Sequence, residues 1–130
     1  MDTNVLSELT KRRPNAGAIA WLASQKTVTI SAITIDELSF GVLRAPATQR
    51  AHLTTWLDAL MAAGPTIVAV DRTVAHLSGE LRARAATRGR SAAQADMLIA
   101  ASALLGGHTL VTRNVRDFEG TGVTLLNPFS

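Results

Sequence analysis

The sequence predicts an α/β domain built on a mainly parallel sheet, and two observations predict it. Short β-branched runs, TVTIS at 27–31, TIVAV at 66–70, TLVT at 109–112 and VTLL at 123–126, alternate with longer segments of helical periodicity. Strands joined through helices read this way, because the helices must cover the faces of the sheet. The second observation is bulk. The chain has 130 residues and is 47% hydrophobic, enough for one compact domain with a real core. No repeat, low-complexity tract or linker divides it, so residues 1–130 are expected to form a single domain.

Taken in order, residues 5–11 read as a helical turn or two. Arg13-Pro14 ends them, since proline disfavours helix at the residue before it. Residues 16–24 read as a short helix with Ile19, Trp21 and Leu22 facing the core. Residues 27–31 alternate polar and apolar as a strand does. A helix over 34–43 carries Leu38 and Val42 four apart, and Pro46 ends it. Residues 48–63 place Leu53, Trp56, Leu57, Leu60 and Met61 on one helical face. Gly64-Pro65 stops that helix before the strand at 66–70. Asp71 is a good N-cap for a helix to about residue 88, with Val74, Leu77, Leu81 and Ala85 inward. Arg88-Gly89-Arg90 is a basic turn. Ser91-x-x-Gln94 fits a capping box that opens a helix through Leu105. That helix is apolar on nearly every face after Asp96, so it is expected to be deeply buried. Gly106-Gly107 closes it, and two strands end the chain. The start is unusual. Parallel sheets supply active-site acids from strand ends, yet Asp2 follows Met1 directly, so the first strand reads as truncated: either it is a stub, or the natural chain begins a few residues upstream.

Composition narrows the function. There is no cysteine, which excludes disulfides and thiolate metal sites and is compatible with a reducing, cytoplasmic location. The longest nearly apolar run, 97–108, is too short to span a bilayer, and no membrane partner is expected. Tyrosine is absent and aromatics are 4%, which argues against base-stacking platforms. The net charge is +3, and 11 of the 13 basic residues are arginine, whose planar fork suits phosphate. Asp2, Glu37, Asp96 and Asp117 sit among apolar or small residues. Setting them aside leaves six acids against 13 bases, a body of +7 around an acidic pocket. That distribution suits a nuclease: the body attracts the phosphate backbone, and the pocket holds a cation against it.

Each candidate residue also has a plainer reading. Asp2 can be an N-cap. Thr34-x-x-Glu37 fits a capping box, which would make Glu37 structural. Asp96 is the sharpest, because a carboxylate near the start of a buried helix is favoured by the helix dipole and costly to leave unpaired. Asn114 and Asp117 follow the TLVT strand and can reach a metal or its waters, or can simply form a turn. Carboxylates converging without histidine or cysteine suit a hard cation such as Mg²⁺ or Mn²⁺. The densest basic stretch, Arg82, Arg84, Arg88 and Arg90, precedes Asp96 and is a solvated helix face or an RNA contact; Arg113 joins the RNA contacts. Phosphate loops, a nucleophile elbow and histidine metal spacing are all missing.

Four stretches together resemble a family. MDTNVLSEL at the start, SAITIDELSFGV around Glu37, AAQADMLIAASA around Asp96, and LVTRNVRDF with a closing LNPF are similar to the PIN domain. More narrowly, they resemble the VapC toxins of toxin–antitoxin pairs, including the FitB-like branch. The resemblance spans nearly the whole chain in the right order. It implies a three-layer α/β/α sandwich and Mg²⁺- or Mn²⁺-dependent cleavage of RNA, often tRNA or rRNA. It also implies a homodimer and a VapB-type antitoxin, through which operator DNA is bound. By the match, Asp2, Glu37 and Asp96 are the first three acidic positions, with Asp2 and Asp96 on the metal. The fourth maps to Asn114, a neutral departure from an acidic quartet, or is taken over through water by Asp117. Asn4 and Thr112 are expected to support these ligands from behind. The alternative is a weakly catalytic or inactive binding module that acts through its antitoxin complex in operon autoregulation.

Overall fold

The computed structural model describes Ala20 and residues 28–128. The expected helix over 5–11, the helix over 16–24 apart from Ala20, and the truncated first strand lie outside the described residues. Within them, strand β1 (Thr29–Ser31) leads into helices α1 (Ala32–Arg44) and α2 (Ala47–Ala62). Strand β2 (Thr66–Val68) is followed by α3 (Arg72–Thr87) and α4 (Gln94–Gly106). Strand β3 (Leu110–Val111), a 3₁₀ turn (Val115–Phe118) and β4 (Leu125–Leu126) complete the order. Each expected strand is present but shorter, and both pairings are parallel. β1 runs beside β2 with Ile30 opposite Ile67, and β3 runs beside β4 with Leu110 opposite Leu125.

The main core is a helical pair against the second strand pair. Val74 and Leu81 of α3 meet Met97, Ile99, Ala100, Ala101 and Ala103 of α4, together with Leu110, Phe118 and Val123. Three of the α4 residues are alanine, so the neighbouring elements can approach its backbone closely. The expectation of a deeply buried α4 is met. A second cluster joins Ile30 and Leu38 to Trp56, Leu57 and Leu60, the face expected of α2. Met61, expected on that face, is exposed, and α2 has no fully buried residue.

Two helix starts differ from the sequence reading. α1 begins at Ala32, with Ser31 as its cap accepting from the Ile33 amide at 3.2 Å. Thr34 is therefore not a cap but a fully buried residue of the first turn. Glu37 consequently lies in the second turn, and its capping-box role disappears. α4 begins at Gln94 with Ala93 in the cap position and no side-chain cap. The Ser91 box does not form. Ala92 packs against the main core, and residues 91–93 stay out of the helix.

Asp71 caps α3 as expected, its Oδ1 accepting from the Val74 amide at 2.9 Å. Asp71→Ala should remove about 1 kcal/mol of stability, lowering Tm by a few degrees in thermal denaturation. An unchanged Tm would show that this cap contributes nothing.

Helix ends matter more for the site. α3 closes with the paired bonds of a Schellman motif: the Gly89 amide reaches the Ala86 carbonyl, and the Arg90 amide reaches the Ala85 carbonyl. Gly89 supplies the left-handed φ of 71° that this ending requires. α4 closes the same way through Gly107 at φ 66°, with the His108 amide on the Ala103 carbonyl. This tight reversal sends β3 back along α4. The start of α4 and the residues after β3 therefore meet at one end of the domain, where α4 touches the 3₁₀ turn.

Candidate active site

Asp96 is the third residue of α4 and the acid of its first turn. It is half-buried. A carboxylate there faces the unsatisfied amides and positive dipole end of the helix. Asp96 lines a cleft of about 250 Å³ whose other wall comes from the segment after β3. Asp117 and Glu119 line the same cleft, and so do Arg84, Arg88 and Arg90 from the end of α3. Leu81 and Met97 give it an apolar floor. Three acidic residues and three arginines thus line one cleft.

The remaining candidates sit around this cleft rather than on it. Glu37 is half-buried on α1, which packs against α4. It lies one turn beyond Ile33, and Ile33 packs on the main core beside α4. Thr112 is fully buried, and its hydroxyl accepts from the Asn114 amide at 2.9 Å. It fixes the backbone turn that carries Asn114 away from β3. The Asn114 carbonyl then accepts from the Asp117 amide at 3.0 Å, opening the 3₁₀ turn. Asn114 and Asp117 are both exposed, but only Asp117 lines the cleft. Arg82 and Arg113 are exposed outside it. Asp2 and Asn4 lie outside the described residues. Among the described residues, no three carboxylate, histidine or cysteine side chains gather closely enough to hold a metal ion by themselves.

Arg90 has a use that the sequence did not reveal. Its Nη2 donates to the Arg116 carbonyl at 3.0 Å, and its Nη1 donates to the Glu119 carbonyl at 3.4 Å. Glu119 was also missed. The alternation around buried Phe118 was its only signal, since residues two apart in the 117–119 stretch flank the anchored ring. His52, His76 and His108 are exposed, and His76 pairs with Glu80 on the α3 surface.

The chain has known relatives. The family model described as PIN domain matches residues 1–122. VapC ribonuclease Y4jK of Sinorhizobium fredii is 34% identical over 99% of this chain and 96% of its own length. Toxin FitB of Neisseria gonorrhoeae is 34% identical with the same coverage. The solved structure of FitAcB from Neisseria gonorrhoeae superposes with a TM-score of 0.88 at 34% identity over 98% of this chain and 95% of that one. VapBC2 from Rickettsia felis, solved bound to a DNA fragment from its promoter, gives a TM-score of 0.82 at 25% identity. It covers 97% of this chain and 95% of that chain. With a family model spanning nearly its whole length and relatives at this identity, the chain belongs to the PIN domain family, in its VapC- and FitB-like branch.

Proposed function

We propose that this protein is the toxin of a VapBC-type toxin–antitoxin pair and hydrolyses RNA phosphodiester bonds with the help of Mg²⁺ or Mn²⁺. The observation that carries the reading is the cleft, where Asp96 and Asp117 open beside Arg84 and Arg88. The ribonuclease and toxin names of its relatives support it.

The donor set fits a hard cation. Glu37, Asp96, Asn114 and Asp117 all offer oxygen, the chain has no cysteine, and its histidines are exposed elsewhere. Asp96 and Asp2 would hold the cation directly. Glu37 and either Asn114 or Asp117 would complete the site. When bound, such a cation lowers the pKa of water and neutralises charge building on the phosphodiester. The chain itself orients the substrate. Arg84 and Arg88 lie where they can grip backbone phosphates beside Asp96, with Arg82 and Arg113 extending the basic surface. Structured RNA such as tRNA or rRNA is the substrate class. A VapB-type antitoxin is the partner, the toxin acts as a homodimer in that complex, and operator DNA is contacted through the antitoxin.

The test is metal removal on the antitoxin-free protein. Dialysis against EDTA should abolish cleavage of total RNA, and Mg²⁺ or Mn²⁺ should restore it. Cleavage that survives EDTA would overturn the metal role. Failure to cut any RNA with either metal present would overturn the ribonuclease reading.

A further inference from the structure

We propose that Arg90 is a positioning residue that sets Asp117 at the wall of the Asp96 cleft, rather than a phosphate contact. The inference rests on the ribonuclease reading only for its catalytic consequence. Its structural basis is independent of that reading.

The geometry begins at Gly89. Its left-handed backbone turns the chain sharply after α3, and the Arg90 amide is tied back to the Ala85 carbonyl at 2.9 Å. Arg90 is thereby launched across the cleft toward the 3₁₀ turn. Its two terminal nitrogens donate to the carbonyls of Arg116 and Glu119. Those carbonyls bracket Asp117 and Phe118. A planar guanidinium fixes both direction and spacing of the groups it bridges, which a lysine ammonium cannot do.

Asp117 is then held from three sides. Its own amide donates to the Asn114 carbonyl at 3.0 Å. The next residue, Phe118, is plugged into the core at 1% exposure. Arg90 clasps the main chain on either side. The 3₁₀ turn spans four residues and has no side-chain cap at Asn114. Short 3₁₀ segments have poor hydrogen-bond geometry of their own, so an external clasp has something to add. The clasp also joins the two walls of the cleft, since Arg90 follows α3 and Asp117 follows β3.

The experiment compares Arg90→Ala, Arg90→Lys, Asp117→Asn and the double variant Arg90→Ala/Asp117→Asn. Amide hydrogen exchange over residues 114–121, Mn²⁺ affinity by electron paramagnetic resonance, and kcat and KM on a short RNA across salt are read for each. Positioning predicts faster exchange at 114–121 in Arg90→Ala, with Lys failing to rescue. It predicts weaker Mn²⁺ binding or lower kcat, by roughly 10-fold or more as for other outer-shell losses. The double variant should be no worse than Asp117→Asn alone, because the two residues act as one unit. A phosphate contact predicts the reverse: unchanged exchange and kcat, a raised KM, and a shallower salt dependence by about one charge. That pattern overturns the proposal. A parent protein that neither binds Mn²⁺ nor cuts RNA would instead overturn the ribonuclease reading. In that case the exchange at 114–121 alone decides the clasp, and parental exchange in Arg90→Ala defeats it.

Discussion

Asp96→Asn is expected to lower RNA cleavage by more than about 100-fold, because losing a direct ligand should cost at least as much as losing a group that only orients one. Asparagine has the same shape and keeps a polar side chain at the start of α4, so the helix should begin where it does now. The lost charge weakens a favourable dipole interaction by about 0.3–1 kcal/mol. That is small beside the catalytic effect, and it separates the two roles of this carboxylate. Circular dichroism should give unchanged helical content and a Tm within a few degrees of the parent. Mapping RNA 5′ ends after inducing the protein alone, beside the variant, should show cut sites only for the parent. If Asp96→Asn cleaves at the parental rate, the proposed site is misplaced. If the variant instead melts far below the parent, Asp96 is holding the fold together, and the loss of cleavage means nothing.

The order of elements was legible because it is written in local signals. β-branched runs mark β1 to β4, and glycine or proline marks where each helix stops. Asp71 was read correctly because one good cap stood before an amphipathic run. The starts of α1 and α4 differ from the local signals because burial overrides them. Ser31 and Thr34 are both capable caps, but Thr34 is needed inside the core. Ser91 opens a good box, yet Ala92 is held against the core before the helix can begin. The same limit applies to the site. Asp96 could be singled out because a charge at the mouth of an apolar helix is locally anomalous. The sequence does not show that the 3₁₀ turn brings Asp117 to the cleft and uses the Asn114 backbone to start the turn. Arg90 looked like its neighbours Arg84 and Arg88. Only the carbonyls brought in from 26 and 29 residues away distinguish it.

Phe118→Ala is expected to be the most damaging substitution to stability, at about 3–5 kcal/mol. Phe118 heads the largest fully buried side chains of the fold and packs in the cluster of α3, α4, β3 and Val123. Truncation loses its transfer energy and leaves a cavity that close-packed alanines on α4 cannot fill. A small domain has about 5–15 kcal/mol in all, so the variant should remain folded in the cold and melt roughly 10–20 °C lower. Phe40 is the internal control: it is 61% exposed, and Phe40→Ala should barely move Tm in the isolated chain. A drop of less than about 3 °C for Phe118→Ala would mean that the ring is not the anchor its burial indicates. The site consequence follows from chain order. Phe118 is the covalent neighbour of Asp117, and its carbonyl accepts from the Thr121 hydroxyl at 2.7 Å in the turn that follows. Removing the ring therefore loosens the same segment that Arg90 clasps. Cleavage measured well below the lowered melting temperature should still fall, because Asp117 is then held by the clasp and the Asn114 carbonyl alone. Parental cleavage in the cold-folded variant would uncouple the core from the site and leave the Arg90 clasp and the Asn114 carbonyl to set where Asp117 stands.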